Sequence, residues 1–217
     1  DDAPSSRVVN ESGQRGSVLG LSRAQGSRQD VTTPFTPDTA DGFGARLLML
    51  DAEGVPTWEA LRLRKDFASI PGVREALHRR LDQLAGFDHP SFPAVRVVEE
   101  HGEPGRDLLL SAYMPGRRLS ELKRPRSAAF AMVLIRDLTL SLAALQGRGE
   151  DVTHGSLTMD RILVTPDGRL IVRDHVLGAV LDKLALPATQ MWSDLGVLQP
   201  AGRQVAGRQL DAIHVAL

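Results

Sequence analysis

From Gly42 onward the apolar positions recur with two different periods, and their order predicts strands and helices in alternation. Residues 45–50 are mostly apolar, the turn Asp51-Ala52-Glu53-Gly54 follows, and residues 58–64 roughly alternate apolar and charged side chains. That pattern predicts a β-hairpin. Val73, Leu77, Leu81 and Leu84 stand at helical spacing and predict an amphipathic helix over 73–86. Residues 95–99 and 107–111 read as two more strands, with Gly102 to Gly105 as the turn between them. Met114-Pro115-Gly116 breaks the chain. Phe130, Val133, Leu134, Leu138, Leu142 and Leu145 then line one face of a helix over 127–146 that Gly147 stops. Residues 162–165 and 169–173 flank Pro166-Asp167-Gly168 and predict a short hairpin. Residues 177–208 are poorly patterned, and a last helix begins near Leu210. Strands dominate the front and helices the back, which is an α+β order.

Residues 1–40 differ from the rest. They are rich in Ser, Gly, Arg and Gln, contain Pro4, Pro34 and Pro37, and lack periodic apolar positions, so they read as a flexible leader or linker. The chain begins at Asp1 rather than Met and ends at Leu217 inside an apolar run, as a fragment or processed product would.

Composition narrows the function classes. The 217 residues are 42% hydrophobic and 24% charged with formal net charge -1, which suits one soluble globular domain with a tail. That balance gives no bulk attraction for nucleic acid or an anionic membrane. There is no cysteine, which excludes disulfides, thiolate metal sites and a Cys nucleophile, and fits a cytoplasmic setting. Uninterrupted apolar runs fall well short of the roughly 20 residues that span a bilayer, so no membrane segment is expected. Arg outnumbers Lys and Ala, Gly and Leu are abundant, as in proteins from GC-rich bacterial genomes. The six histidines show no ligand spacing for zinc. Ser156 is not in a nucleophile elbow, because His154 and Thr158 hold the two places that glycines would.

The stretch from His154 to Gly168, HGSLTMDRILVTPDG, resembles the catalytic loop and following hairpin of the protein kinase family, whose pattern is H-R-D-L-x-x-x-N. Asp174-His175-Val176 falls where the D-F-G motif belongs. His89-Pro90 resembles the pair that follows the family's C-helix, residues 109–116 resemble the strand and hinge between lobes, and Asp211 resembles the aspartate that opens the F-helix. The resemblance spans residues 42–217. It implies a two-lobe kinase-like fold: a β-rich N-lobe over 41–113 and a partial, helical C-lobe over 114–217. The family's C-lobe continues through several helices after the F-helix. An end at Leu217 therefore implies uncovered apolar surface and either a longer native chain or a partner that caps it.

The family's catalytic positions are mostly altered. In one register Thr39, Asp41 and Gly44 take the three places of the Gly-rich loop; in another Gly42, Gly44 and Leu47 do. Neither is the complete set of glycines that lets backbone approach phosphate. Arg62 aligns with the lysine of V-A-I-K, and Arg80 with its C-helix glutamate partner, which predicts an Arg–Arg clash unless Glu75 takes over. Ser156 replaces the aspartate that accepts the substrate proton, and a serine hydroxyl is no base near pH 7; losing a general base costs about 10²–10⁴-fold. Arg161 replaces the metal-binding asparagine and puts a cation where a cation should bind. Asp174 remains, as the one candidate Mg²⁺ ligand, and a single carboxylate is a poor magnesium site unless nucleotide phosphates complete it. A buried Arg161–Asp174 pair would neutralise both and mimic the missing metal. His154 reads as a structural support of its loop.

The nucleotide-contact candidates implied are thus Gly44, Arg62, Ala112 at the hinge, and Asp174; no catalytic set is intact. The function implied first is a pseudokinase, a protein-binding or regulatory module in signalling that requires no cofactor and takes ATP weakly and without Mg²⁺ if at all. The alternatives are a divergent active Ser/Thr protein kinase using Asp160 or Asp174 in altered roles, and a small-molecule phosphotransferase. For the latter, His154-Gly155 is similar to the H-G-D loop of aminoglycoside phosphotransferases, with Ser156 again in place of the aspartate.

Overall fold

In the computed structural model, which describes residues 36–100, 107–122, 127–199 and 207–216, a five-stranded antiparallel sheet comes first. Its strands are β1 (Thr36–Asp41), β2 (Gly44–Leu50), β3 (Pro56–Leu63), β4 (Val95–Glu99) and β5 (Asp107–Ala112), in the order β1-β2-β3-β5-β4. The hairpin expected from residues 45–64 is β2–β3, with Leu47 opposite Ala60 and Arg46 opposite Leu61. β1 lies inside the stretch expected to be a leader. Its pairing with β2 gives a strand to residues whose own apolar signal is slight. The expected turn at Gly102 to Gly105 lies outside the described residues.

Period-two alternation gives this sheet two different faces. Leu47, Ala60, Leu108 and Leu110 form a small cluster on one face, with Trp58 and Val98 against it. Leu61, Leu63 and Leu109 point the other way, into the main core. The short α1 (Lys65–Ala68) and then α2 (Val73–Gln83) follow β3, and α2 buries Val73, Ala76, Leu77 and Arg80.

The second half is a three-stranded sheet, β6 (Arg117–Arg118), β7 (Ile162–Val164) and β8 (Leu170–Val172), among helices. α3 (Ala128–Gln146) is capped by the Ser127 hydroxyl, which accepts from Phe130 N at 3.1 Å. Such a cap contributes about 1 kcal/mol. α3 is long and apolar enough to cross a membrane by length and composition, with only Arg136 and Asp137 charged. A count of uninterrupted apolar runs passes over it. Here Leu138, Leu142 and Leu145 are buried against protein while Met132 and Leu140 are 68% and 62% exposed.

Residues 177–208, without clear pattern in the sequence, contain α4 (Gly178–Leu184) and α5 (Ala188–Leu195). Both are about two turns long, too short to hold their shape by propensity, so packing of Val180, Leu181, Leu184, Met191 and Leu195 defines them. α6 (Arg208–Ala216) closes the described chain. One continuous apolar core runs from Phe43 and Leu61 through α2 and α3 to Leu195 and Val197, joining the strand-rich and helical halves.

Candidate functional site

Asp174 is the centre of the site. It follows β8 with φ 63°, in the left-handed region that aspartate tolerates better than most side chains. Its carboxylate, 8% exposed, is paired with two arginines through one oxygen, Oδ2. Arg161, in the turn before β7, brings Nε to 3.4 Å of Asp174 Oδ2. Arg46 of β2 makes a direct hydrogen bond to the same oxygen through Nη2.

The Arg161–Asp174 pair matches the sequence expectation. Arg46 does not appear in it. Arg46 is 4% exposed and also reaches Asp41 at 2.9 Å and Glu59 at 2.8 Å. Arg173 adds a second cation beside Glu59, with Nη2 2.8 Å from Oε1 but not aligned as a hydrogen bond. Three arginines (46, 161, 173) therefore meet three carboxylates (41, 59, 174), and their formal charges cancel.

Burial opposes ionisation of Asp174, but the charges of Arg46 and Arg161 outweigh it and hold the carboxyl well below the usual carboxylate range. Burial also works against the Arg46 charge. There Asp174, Asp41 and Glu59 prevail and make the guanidinium harder to deprotonate than usual. Arg161 and Arg173 are pushed down by burial, Arg173 also by the like charge of Arg46. Such a cluster is costly to break rather than strongly stabilising in itself, because both partners gave up hydration to form it.

Sheet alternation explains why Arg46, and not Arg62, faces this cluster. Arg62 pairs with Leu108 and shares the outer face with Ala60, whereas Glu59 and Leu61 face inward. A one-residue difference in strand register moves a side chain to the opposite face, so alignment of Arg62 with the V-A-I-K lysine fails geometrically. Arg62 instead pairs with Glu100. The Arg62–Arg80 clash is likewise absent. Arg80 is 4% exposed and donates from Nη1 to Thr153 O and from Nη2 to Asp151 O, each at 2.7 Å. It ties α2 to the segment that enters the catalytic loop, while Glu75 is solvent-exposed on the first turn.

The loop corresponding to the Gly-rich loop is a tight turn. Asp41 Oδ1 accepts from Phe43 N at 2.8 Å and Gly44 N at 3.3 Å. A Cβ on Gly42 would lie 1.6 Å from Asp194 O, so the turn rests directly on the end of α5. A Cβ on Gly44 would lie 1.9 Å from Arg62 O; the glycine permits close strand packing of β2 on β3. At the tip, Phe43 is fully buried and its ring centroid lies 4.7 Å from Arg161 Cζ, a cation–π contact.

The loop around His154 to Thr158 is anchored by buried hydrogen bonds. His154 is fully buried, its Nε2 is 2.8 Å from Arg173 O, and burial depresses its basicity. Asp211 of α6 accepts from His154 N at 2.9 Å, Gly155 N at 2.7 Å and Gln146 Nε2 at 3.0 Å. Ser156 is fully buried and its hydroxyl has no partner; its carbonyl accepts from Arg161 Nη1 at 2.8 Å. Asp160 is exposed and accepts a hydrogen bond from the Ser120 hydroxyl.

Ala112, at the end of β5, lines a cavity with Met114, Leu61, Leu163, Arg46 and Asp174. The cavity holds only about 20 Å³ of water-sized space, enough for roughly one water molecule. The structure thus gathers Asp174, Arg161, Ser156 and Ala112 around one site, adds Arg46, Glu59, Arg173 and Phe43, and leaves Arg62 outside. A sequence signal for Arg46 did exist: it is the one charge in the otherwise apolar run 45–50, and a charge in a buried strand needs a partner.

The fold is that of the protein kinases. The PknI kinase domain of Mycobacterium tuberculosis matches with TM-score 0.56 at 18% identity, over 89% of this chain and 73% of that one. A double mutant of that domain matches with TM-score 0.58 at 19% identity, over 89% and 76%. The apo form of PpkA-294 matches with TM-score 0.54 at 15% identity, over 76% of this chain and 63% of that one. No protein-family profile matches the sequence. At such identities the likeness establishes a kinase-like α+β fold, with a β-sheet N-lobe and a helical region.

Proposed function

We propose that this chain is a catalytically impaired kinase-like domain that acts as a protein-binding or regulatory module. The observation that carries the proposal is that Arg46 and Arg161 both pair with Asp174 Oδ2. Two guanidiniums then take the place beside Asp174 that a metal ion would need, and the one candidate metal ligand is already neutralised. Phe43 fills the space beneath the collapsed turn. On this reading nucleotide binds weakly and without Mg²⁺, because Mg²⁺ demands near-octahedral oxygen ligands that a single arginine-paired carboxylate does not supply.

Proton transfer lacks a base as well. Ser156 is buried with an unpartnered hydroxyl, and exposed Asp160 accepts from the Ser120 hydroxyl. Neither an active Ser/Thr kinase nor a small-molecule phosphotransferase gains support from these positions. The exposed apolar side chains Met132 and Leu140 on α3 and Trp192 on α5 fit a domain that works by protein contact.

Thermal denaturation with ATP, with and without Mg²⁺, tests the proposal. A Mg²⁺-independent shift of small size is expected. Ligand at about 100 times its Kd stabilises by about 2.7 kcal/mol, and a Mg²⁺-dependent rise of that order, or transfer of radiolabelled phosphate to the chain or a general substrate, would refute it.

A further inference from the structure

Arg161 touches more than Asp174. From the turn before β7 its Nη1 donates to Ser156 O at 2.8 Å and reaches Thr158 Oγ1 at 3.3 Å, its Nη2 donates to Leu195 O at 3.3 Å, and its Cζ lies 4.7 Å from the Phe43 ring centroid. One buried guanidinium thus contacts both the tip of the 41–44 turn and the end of α5. A buried charge is costly without such acceptors, so the side chain and the two segments hold one another in place.

The two segments also touch each other directly. A Cβ on Gly42 would fall 1.6 Å from Asp194 O and 2.8 Å from Leu195 Cα, so only a glycine lets the turn sit this close to α5. Phe43 is fully buried, and its ring meets Phe67 edge-on with centroids 6.4 Å apart. Arg64 covers Phe67 at 4.4 Å while its Nη1 donates to Gly42 O at 3.4 Å. Neither segment is built to stand alone. Within the turn, Asp41 accepts from the amides of Phe43 and Gly44. α5 is only eight residues long and ends where Gly196 N donates to Trp192 O and Val197 N to Met191 O, each at 3.0 Å. A helix that short needs packing to persist.

We propose that the 41–44 turn and the 192–197 end of α5 form a latch, with Arg161 as its pin, that closes the cleft beside Asp174 and opens as one unit. The turn leads into β2, whose Arg46 lines the cavity beside Asp174, and α5 belongs to the helical half, so the latch joins the two halves of the fold. Closed, it leaves that cavity room for about one water molecule. Coupling of this kind is reciprocal. A contact that loosens α5 loosens the turn, and a cleft ligand that needs the turn open loosens α5. The affinity of such a ligand is reduced by the fraction of molecules in which the latch is open. The latch operates whether or not the domain transfers phosphate, so it stands apart from the function proposed above.

Native-state hydrogen exchange on the full chain tests the latch. In the wild type the amides of Phe43, Gly44, Gly196 and Val197 are expected to open together, with protection factors within about threefold of one another and at least about tenfold below those of Leu142 and Leu145 in α3. Arg161→Met keeps the carbon volume and removes the pin. It is expected to lower protection of all four amides by one common factor of about tenfold or more, as loss of hydrogen bonds from a charged group does. Gly42→Ala pushes from the turn alone and is expected to lower protection at Gly196 and Val197 as much as at Phe43 and Gly44. The proposal is overturned by wild-type protection that differs more than about threefold between the turn and the end of α5, by all four amides opening only together with α3, or by either variant shifting one segment while the other keeps its wild-type rate. Should Arg161→Met fail to fold, the wild-type profile and Gly42→Ala decide.

Discussion

Replacing Arg46 by Met removes the hub of the buried ion cluster without removing its carbon volume. Three carboxylates lose a partner. Glu59 keeps the contact with Arg173 at 2.8 Å and Asp174 keeps Arg161 at 3.4 Å, while Asp41, 28% exposed, regains water. Breaking a buried pair on one side costs about 3–5 kcal/mol, and these residual contacts place Arg46→Met near the lower end, about 3 kcal/mol at pH 7. For a chain of this size that lowers Tm by about 6–12 °C.

The pH dependence gives a sharper check. The folded Asp174 carboxyl is depressed, so its contribution is present above the unfolded carboxylate range and is lost as pH falls through the folded value. Without Arg46 the carboxyl rises and protonates within the folded protein on acidification. The difference between wild type and variant is therefore largest at neutral pH and shrinks below about pH 4. Buried His154 and His175 also destabilise the fold below their unfolded value, but both proteins carry them and the effect cancels in the difference. Urea unfolding followed by Trp58 and Trp192 fluorescence at pH 7 and about pH 3 measures both quantities. A double-mutant cycle with Asp174→Asn, which keeps a side chain tolerant of the left-handed backbone, isolates the pair. A loss below about 1 kcal/mol at pH 7, with no change on acidification, would show that Arg46 is not the hub.

Further outcomes follow from the same geometry. Arg80→Met leaves the carbonyls of Asp151 and Thr153 unpaired and should cost about 2–3 kcal/mol in denaturant unfolding; faster amide exchange around Val152 would locate the loss. Gly42→Ala forces a methyl against Asp194 O, backbone against backbone, and should lower Tm by several degrees while increasing protease access at the 41–44 turn. Asp211→Asn keeps the shape but removes the charge that holds His154 N and Gly155 N, with an expected cost of about 2 kcal/mol in the same unfolding assay.

Much of the site was legible because it sits in local motifs. His154 is the buried loop support the sequence reading describes, Asp174 and Asp211 are both buried and hydrogen-bonded, and the hairpin at Pro166-Asp167-Gly168 follows from turn chemistry within a few residues. The helix at Ala128–Gln146 was legible from its periodicity and the Gly147 stop. β1, α4 and α5 were not, because short elements draw their stability from what packs on them. Arg62 illustrates the same boundary: an alignment in sequence space allowed it to face the cleft, and pairing with Leu108 turned it outward.

The sequence by itself determined the β2–β3 hairpin, α2, β4, β5, α3, the β7–β8 hairpin and the absence of an acid at position 156, since each depends on residue identity or near-neighbour spacing, and through its resemblance it implied the kinase-like frame. Only tertiary structure decided that Arg46, 128 positions away from Asp174 along the chain, is its closest partner. It also decided that Phe43 and the turn around it close onto α5. Electrostatic pairing in a buried space depends on which strand face a charge occupies and what lies opposite, and neither is set by residues adjacent in sequence.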